Sequence, residues 1–146
     1  MLYIAGDGPQ KGYLEKLVRK LDLQQNIFLL GLIDKKQIKG YLRKVDVAIY
    51  PSLWDNFPLS YIEAFSCADC PVFFSRKAGI YDFVSIQGNK LCSFDPSVDN
   101  ICNIISLIAN DRIDLDVVNE QKKFAIRYNW RNVVNDYIES YAQYLY

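Results

Sequence analysis

The sequence predicts an α/β fold in which a parallel sheet is flanked by helices and the C-terminus is helical. Short apolar runs alternate along the chain with longer segments whose apolar residues recur at the helical period. This alternation is typical of parallel strands joined by right-handed crossovers. A chain of 146 residues is also long enough for one domain with a sizeable core.

Five short apolar segments are predicted to be strands. They cover residues 2–5, 27–30, 45–50, 71–74 and 90–94. The segment at 45–50 has the nearly continuous apolar composition of a strand that is buried on both faces. Gly31 ends the second strand, and the Gly-Asp-Gly-Pro turn at 6–9 follows the first. Because position 11 is Lys11, this turn lacks the third glycine of a dinucleotide-binding fingerprint and indicates a tight βα turn.

Two helices are predicted in the first third of the chain. The first begins near Pro9, since proline is suited to the first helical position, where no N–H is needed. Its inward-facing residues are Leu14, Leu17, Val18 and Leu21. Asp34 and Gln37 have the spacing of a capping box, which predicts the start of the second helix. The apolar residues of that helix are Ile38, Tyr41 and Leu42.

Helices also dominate the second half of the chain. We expect a central helix over residues 58–68, a loop and short helix over 76–82, and an N-cap at Ser97. The inward face after Ser97 consists of Val98, Ile101, Ile104, Ile105 and Ile108. A further segment carries Val117, Val118, Phe124 and Ala125. The apolar stripe of the last helix comprises Trp130, Val133, Val134, Tyr137, Ile138, Tyr141 and Leu145. Because several of the 11 tyrosines lie here, we expect part of this stripe to meet another surface.

The candidate site lies in residues 50–65, where a predicted strand leads through an aromatic and acidic loop into the central helix. Ligands bind at the carboxyl ends of strands in open α/β sheets. Pro58 is suited to the first helical position, so the amides of Leu59 and Ser60 have no intrahelical partners and form a ready phosphate site. Glu63 lies about 7–8 Å from Pro58 along the helix axis, where a carboxylate is suited to a vicinal diol such as a ribose. The spacing leaves a second interpretation open, in which Asp55 caps the turn and Glu63 is a solvated helix residue.

Composition excludes several classes of function. The chain has 17 basic and 17 acidic residues, and no basic stripe is interleaved with aromatic residues, so nothing indicates a nucleic-acid partner. Histidine is absent, which excludes Ser-His-Asp and Cys-His catalysis and any histidine-ligated metal. Cys67 and Cys70 form a C-x-x-C motif without the second pair that zinc requires. We expect all four cysteines, which include Cys92 and Cys102, to be buried or half-buried free thiols.

The order and spacing of these motifs resemble the C-terminal, donor-binding half of the retaining glycosyltransferases of the GT-B fold, family 4. The resemblance covers nearly the whole chain. It is carried by the G-x-G-P turn at 6–9, the strand at 27–31 (similar to the family's F-x-G strand), Pro51-Ser52, the Asp55-x7-Glu63 spacing, Glu63-Ala64 with Cys70-Pro71-Val72, the loop at 78–82, and Asn129-Trp130. Asp55 stands where the family has a Glu, Asn56 and Pro58 replace frequent glycines, and Asp82 replaces a Glu.

The resemblance implies a role for each of eight residues. Asp55 would be the catalytic residue that contacts the transferred sugar, and Glu63 would hold the ribose hydroxyls. The implied donor-binding residues are Gly31, Leu32, Asn56, Phe57, Leu59, Ser60 and Glu63. The family needs no metal cofactor, because positive groups and helix-end amides offset the charge of the leaving diphosphate. Arg76 and Lys77 are open to two interpretations, as solvated residues or as phosphate contacts.

The implied function is that of a retaining hexosyltransferase. It would bind a UDP- or GDP-sugar and transfer the hexose to a glycan or lipid-linked acceptor in cell-envelope polysaccharide synthesis. Residues 1–146 would form one Rossmann-like donor domain of a two-domain enzyme, with residues 113–146 as C-terminal helices packed on it. The acceptor domain and the first strand and helix of the donor domain would be missing, so we expect the isolated chain to be inactive. The sheet would then close without that strand or borrow one.

Two other functions are open. The chain is alternatively a non-catalytic nucleotide- or phosphate-binding module, such as half of a split enzyme, or an interaction module that uses its last helix. No apolar run approaches the length of a membrane span, and the N-terminus lacks a signal-peptide pattern. We therefore expect a cytoplasmic protein, with peripheral attachment at the inner membrane face and self-association through the C-terminal helix left open.

Overall fold

A computed structural model describes residues 1–86 (residue 86 by its backbone alone), 91–110, 112 and 114–144. Within these residues, five strands and seven helices follow one another along the chain. Their order is β1 (Leu2–Ala5), α1 (Lys11–Lys20), β2 (Ile27–Gly31), α2 (Lys35–Leu42), β3 (Ala48–Tyr50), α3 (Leu59–Cys67), β4 (Val72–Ser75), α4 (Ile80–Ile86), β5 (Ser93–Phe94), α5 (Val98–Ala109), α6 (Asp116–Arg127) and α7 (Trp130–Ala142). The predicted α/β class is confirmed.

The chain forms two compact units, Met1–Ile38 and Lys39–Tyr146, whose boundary falls within α2. In the first unit β1 and β2 pair in parallel, with Leu2 opposite Ile27. In the second unit β3, β4 and β5 form a parallel sheet with β4 at its centre. The strands of the described residues thus belong to two parallel sheets, one in each unit.

The core of the second unit surrounds β4, in which Val72 and Phe74 are completely buried. The ring of Phe65 in α3 packs edge-on against Phe74, with centroids 5.7 Å apart, and against Phe124 of α6 at 6.0 Å. This aromatic cluster holds α3 and α6 against the central strand.

Gln121 of α6 completes the hydrogen bonding of β4. Its Nε2 donates to the Val72 carbonyl at 2.8 Å, and its Oε1 accepts from the Val72 N–H at 3.1 Å. β5 pairs with β4 only from Phe74 onward, so it does not reach Val72. The amide side chain therefore supplies the partner that a longer β5 would provide, and this explains why a polar residue is buried here.

Local capping signals are confirmed at atomic detail. The Asp34 N–H donates to Gln37 Oε1 at 2.9 Å, and the Gln37 N–H donates to Asp34 Oδ1 at 2.7 Å. Ser97 caps α5 by accepting a hydrogen bond from the Asn100 N–H at 3.2 Å. Both caps were predicted because they depend only on residues three apart.

Element boundaries and faces differ from the prediction in several places. α1 begins two residues after Pro9, because the turn closed by Lys11 N–H on the Gly8 carbonyl comes first. β3 begins at Ala48, because the Val45 N–H still bonds to the Tyr41 carbonyl in the turn that closes α2, and the strand is only half-buried.

Three residues that were predicted to face inward are exposed, namely Leu21 (55%), Val98 (77%) and Ile105 (50%). The prediction of burial is wrong for Leu21 and Val98 because they lie at helix ends. It is wrong for Ile105 because the buried stripe of α5 is narrow. Predicted Lys90 of β5 and Leu145 of the last helix lie outside the described residues.

None of the helices in the described part of the chain combines the length and the apolar character required to cross a bilayer.

Candidate functional site

The loop between β3 and α3, residues 51–58, is held against the turn that follows β4. The Gly79 N–H donates to the Asp55 carbonyl at 2.8 Å, and Asp55 forms a parallel bridge with Ala78. Gly79 lies so close to the Asn56 backbone that a Cβ at position 79 would overlap the Asn56 carbonyl. Position 79 therefore requires glycine for lack of space, and the approach of the two segments fixes the backbone on both sides of the Asp55 side chain.

Aromatic packing fixes the end of the same loop. The ring of Phe57 contacts Phe83 of α4 edge-on, with centroids 5.7 Å apart, although Phe57 remains 40% exposed. Pro58, the next residue, is buried. The loop thus has little conformational freedom where it reaches the start of α3, and this pre-organises the backbone amides at the helix start.

The start of α3 is open. Pro58 has an extended conformation and is the N-cap, so its predicted position as the first helical residue is wrong by one residue. It has no side chain that can cap the helix, and its carbonyl accepts from the Tyr61 N–H at 3.0 Å. Within the described part of the chain, the amides of Phe57, Leu59 and Ser60 donate to no acceptor. Leu59 and Ser60 are both exposed, so these donors are available to an anion.

Two tyrosines lie beneath this helix start. The Tyr61 hydroxyl donates to the Tyr50 carbonyl at 3.4 Å, and the two rings are 5.0 Å apart. Burial is the main cause that raises the pKa of Tyr50 to about 12; smaller contributions come, in decreasing order, from Cys67, Cys70, Tyr61 and Glu63. Burial also raises the pKa of Tyr61, a hydrogen bond with Ser52 lowers it, and the charge of Asp55 raises it further. Both phenols therefore stay protonated at neutral pH. The charge of Glu63 raises the pKa of Tyr50 and the charge of Asp55 raises that of Tyr61, and the rings of these two tyrosines contact each other.

The eight predicted site residues are divided between the two units. Asp55, Asn56, Phe57, Leu59, Ser60 and Glu63 lie in the second unit, in the loop and in α3. Asp55 is half-buried, whereas Asn56 and Glu63 are exposed, and the Glu63 carbonyl accepts from Ser66 Oγ at 2.7 Å. The roles of these residues stay predictions.

Gly31 and Leu32 lie in the first unit. Gly31 is buried and has a φ of +68°, a conformation that favours glycine, and its carbonyl accepts from the Gly6 N–H at 2.8 Å. Leu32 is 83% exposed at the carboxyl end of β2. Their assignment to donor binding also stays a prediction.

Arg76 and Lys77 follow β4 directly. The Arg76 guanidinium is 3.4 Å from the Asp95 carboxylate and 5.8 Å from the centroid of the Tyr81 ring. The Lys77 N–H donates to the Oγ of the fully buried Ser75 at 3.0 Å, while the rest of the residue is exposed. The Arg76 charge is thus already engaged with Asp95, which favours a structural role over a phosphate contact.

All four cysteines are free thiols. Burial raises the pKa of Cys70 and of Cys92 to about 11, so neither is a thiolate at neutral pH. The expectation of burial or half-burial holds for three of them but is wrong for Cys102, which lies on the outer side of α5. The described residues contain no group of three or more Cys, Asp or Glu side chains suited to hold a metal ion. Metal independence of the reaction stays a prediction.

Nothing in the local sequence pattern predicts that Gly79 holds Asp55 in place. The usable signal is topological, because β3 and β4 are parallel neighbours and the loops at their carboxyl ends must approach each other. A glycine in the second of these loops then indicates a close contact between two backbones. The position of Tyr61 beneath the start of α3 was likewise not predicted, because an aromatic side chain in a helix is typical of a core residue.

Comparisons with known proteins agree with this architecture. The family model described as glycosyl transferases group 1 matches residues 1–127. The glycosyltransferase MJ1607 of Methanocaldococcus jannaschii is 26% identical over 142 residues, which are 96% of this chain and 36% of that protein. The structure of Anabaena HepE in complex with UDP-glucose superposes with a TM-score of 0.75 at 19% identity, covering 97% of this chain and 40% of that one. The C-terminal domain of the group 1 glycosyltransferase LpcC from Francisella tularensis gives a TM-score of 0.65 at 20% identity, covering 83% and 65%.

Proposed function

The chain belongs to the group 1 glycosyltransferases, and we propose that it is the part of such an enzyme that binds the nucleotide-sugar donor. It spans 36% of the M. jannaschii relative, so the activity of the whole protein is part of the proposal. That activity is the retaining transfer of a hexose from a UDP- or GDP-sugar to a glycan or lipid-linked acceptor, in cell-envelope polysaccharide synthesis.

The observation that carries the proposal is the open start of α3 beside an anchored acidic loop. The amides of Leu59 and Ser60 are exposed and donate to no group in the described part of the chain. The positive end of the helix adds to their attraction for a diphosphate. In this proposal Glu63, one turn farther along α3, accepts hydrogen bonds from the ribose hydroxyls. A nucleotide sugar supplies both groups in one ligand, and the HepE structure is itself a complex with UDP-glucose.

In the proposed mechanism the chain acts mainly by positioning and electrostatics. The helix-start amides stabilise the negative charge that develops on the leaving diphosphate, a role that needs no bound metal. Asp55 contacts the transferred sugar, and its backbone is fixed through Gly79 so that the carboxylate needs little reorganisation. The leaving phosphate takes the proton of the acceptor hydroxyl, which is consistent with a chain that has no histidine.

Calorimetric titration of UDP and GDP into the chain tests this proposal. We expect binding of at least one nucleotide, weakened about tenfold or more in Glu63→Ala, since hydrogen bonds to a charged group contribute about 1.5–3 kcal/mol. Glu139→Ala, which removes an exposed carboxylate from α7, is the matched control and should leave the affinity unchanged. Equal affinities for Glu63→Ala and the unaltered chain would remove Glu63 from the site. A chain that binds neither nucleotide would contradict the proposal as a whole.

A further inference from the structure

The most exposed large apolar side chain of the loop between β3 and α3 is that of Trp54. It directly precedes Asp55 and is 85% exposed, and Leu53 beside it is 75% exposed. Within the part of the chain that the structure describes, the Trp54 side chain forms no hydrogen bond and no ring contact. A large aromatic side chain left in water gains none of the stabilisation that burial would give it. The packing of the second unit therefore does not explain why a tryptophan lies here.

The backbone is held in place on both sides of Trp54. Ser52 is hydrogen-bonded to the buried Tyr61. On the other side, the Asp55 carbonyl accepts a hydrogen bond from the Gly79 N–H at 2.8 Å. Leu53 and Trp54 thus form a short tip between two fixed points. An aromatic ring presented from a fixed backbone binds a ligand without the entropic cost of ordering a loop.

The place of Trp54 along the proposed donor site indicates which ligand it meets. In that proposal Glu63 holds the ribose, the amides at the start of α3 hold the diphosphate, and Asp55 contacts the transferred sugar. The donor then extends from Glu63 towards Asp55, and Trp54 follows at the sugar end. The nucleotide base lies at the opposite end, beyond the ribose. Trp54 is therefore on the side from which the acceptor has to approach the sugar.

Given the proposed function, on which this inference rests, we propose that Trp54 binds the acceptor by stacking against the face of a sugar ring. The C–H groups of a pyranose form an apolar face, and its hydroxyl groups form a polar rim. An indole has the matching combination of a flat apolar surface and one N–H donor. The polar side chains next to the tip, which are Ser52, Asp55 and Asn56, suit the hydroxyl groups of the rim.

An acyl chain fits the tip less well than a sugar ring. A lipid tail requires a continuous apolar surface, but Asp55 and Asn56 separate Trp54 from the next apolar residue, Phe57. The Phe57 ring is already packed against Phe83. A carboxylate and an amide covered by a lipid tail would lose water without gaining a partner, which is unfavourable. Sugar hydroxyls supply that partner.

Saturation-transfer difference NMR tests the proposal, because it detects weakly bound ligands and shows which of their protons contact the protein. The probes are the methyl glycosides of glucose, galactose, mannose and N-acetylglucosamine, together with octyl glucoside below its micelle concentration. Spectra are recorded with and without UDP and GDP. We expect saturation of the ring C–H protons of at least one glycoside.

The possible results separate this inference from the proposed function. Nucleotide binding without contact to any glycoside would overturn the role of Trp54 and leave the donor site in place. A chain that binds neither nucleotide would overturn the proposed function and this inference with it. Saturation of the octyl protons of octyl glucoside without its ring protons would mean that a lipid, and not a sugar, covers Trp54.

The two exposed tryptophans of the chain provide matched variants. Trp54→Ala should weaken the glycoside signal about fivefold or more and leave the nucleotide affinity unchanged, whereas Trp54→Phe should keep most of the signal because it retains an aromatic face. Trp130→Ala removes a side chain that is 79% exposed at the start of α7 and should change neither measurement. Circular dichroism checks that all three variants fold.

Three outcomes of the variants would overturn the assignment. An equal glycoside signal in Trp54→Ala and the unaltered chain would remove Trp54 from the acceptor site. A parallel loss of nucleotide affinity in Trp54→Ala would place Trp54 in the donor site instead. Self-association that Trp54→Ala abolishes, without contact to any glycoside, would mean that a second copy of the chain covers the ring.

Discussion

Both α3 and α7 carry several large apolar side chains, but only α3 buries them. In α3, Tyr61 and Phe65 are each 1% exposed, because β4 and α6 lie against the helix. In α7 no residue is buried, and Tyr137 and Tyr141 are 61% and 68% exposed. The two helices therefore differ in what faces them, and α7 also carries more charge, with Arg131, Asp136 and Glu139 against the single Glu63 of α3.

This contrast shows what an apolar period can predict. The period indicates which side of a helix is apolar, but burial also requires another element with a complementary surface. α5 shows both outcomes within one turn, since Ile104 is 4% exposed and Ile105 is 50% exposed. Substitutions that remove packing should therefore lower the free energy of unfolding by an amount that depends on what the replaced side chain contacts.

The largest effect is expected for Phe65→Ala. The Phe65 ring packs edge-on against Phe74 and Phe124, so its removal leaves a cavity in the centre of the second unit. We expect the free energy of unfolding to fall by about 3–5 kcal/mol, measured by urea denaturation followed by circular dichroism. If this variant does not fold, Phe65→Leu should lose less than about 1.5 kcal/mol and remain measurable. A loss below about 1 kcal/mol for Phe65→Ala would mean that α3 is not tightly packed.

The next largest effect is expected for Gln121→Leu. The substitution keeps the volume of the side chain but leaves the N–H and carbonyl of Val72 without partners. We expect a loss of about 2–4 kcal/mol, because each buried unsatisfied group costs about 1–3 kcal/mol. Asn119→Leu, at an exposed position of the same helix, should stay within about 0.5 kcal/mol. Faster hydrogen exchange of the Val72 amide in Gln121→Leu alone would identify the cause, whereas equal losses in the two variants would contradict it.

A smaller effect on stability, but a clear effect on the site, is expected for Gly79→Ala. The new Cβ would overlap the Asn56 carbonyl, so the loop that carries Asp55 has to move. We expect a loss of about 1–3 kcal/mol in the free energy of unfolding together with weaker nucleotide binding. Gly40→Ala in α2, where a Cβ meets no atom, should instead stabilise the chain by about 0.5–1 kcal/mol. Unchanged stability and unchanged nucleotide affinity in Gly79→Ala would show that the close approach is absent in solution.

These substitutions mark the limit of prediction from the sequence. The capping box of α2 and the N-cap of α5 were predictable, because residues three apart in the chain determine them. The contacts of Gly79 with Asp55 and of Gln121 with Val72 link residues 24 and 49 positions apart, and no local pattern encodes them. Residues 50–65 were predicted to run from the end of a strand through a loop into a helix, and this order is confirmed. How that loop is held became clear only from the pairing of β3 with β4.

The smallest effect is expected for Tyr137→Ser/Tyr141→Ser in α7. Both side chains are already more than half exposed, so their removal sacrifices little burial, and the helix keeps its N-cap at Asn129. We expect the free energy of unfolding to change by no more than about 0.5 kcal/mol for each substitution. Urea denaturation at two protein concentrations makes the test decisive, because stability that derives from self-association depends on concentration. A loss of about 2 kcal/mol or more that is independent of concentration would mean that this chain itself covers the face of α7. The same loss only at high concentration would mean that a second copy covers it, and either result would remove the contrast between α3 and α7.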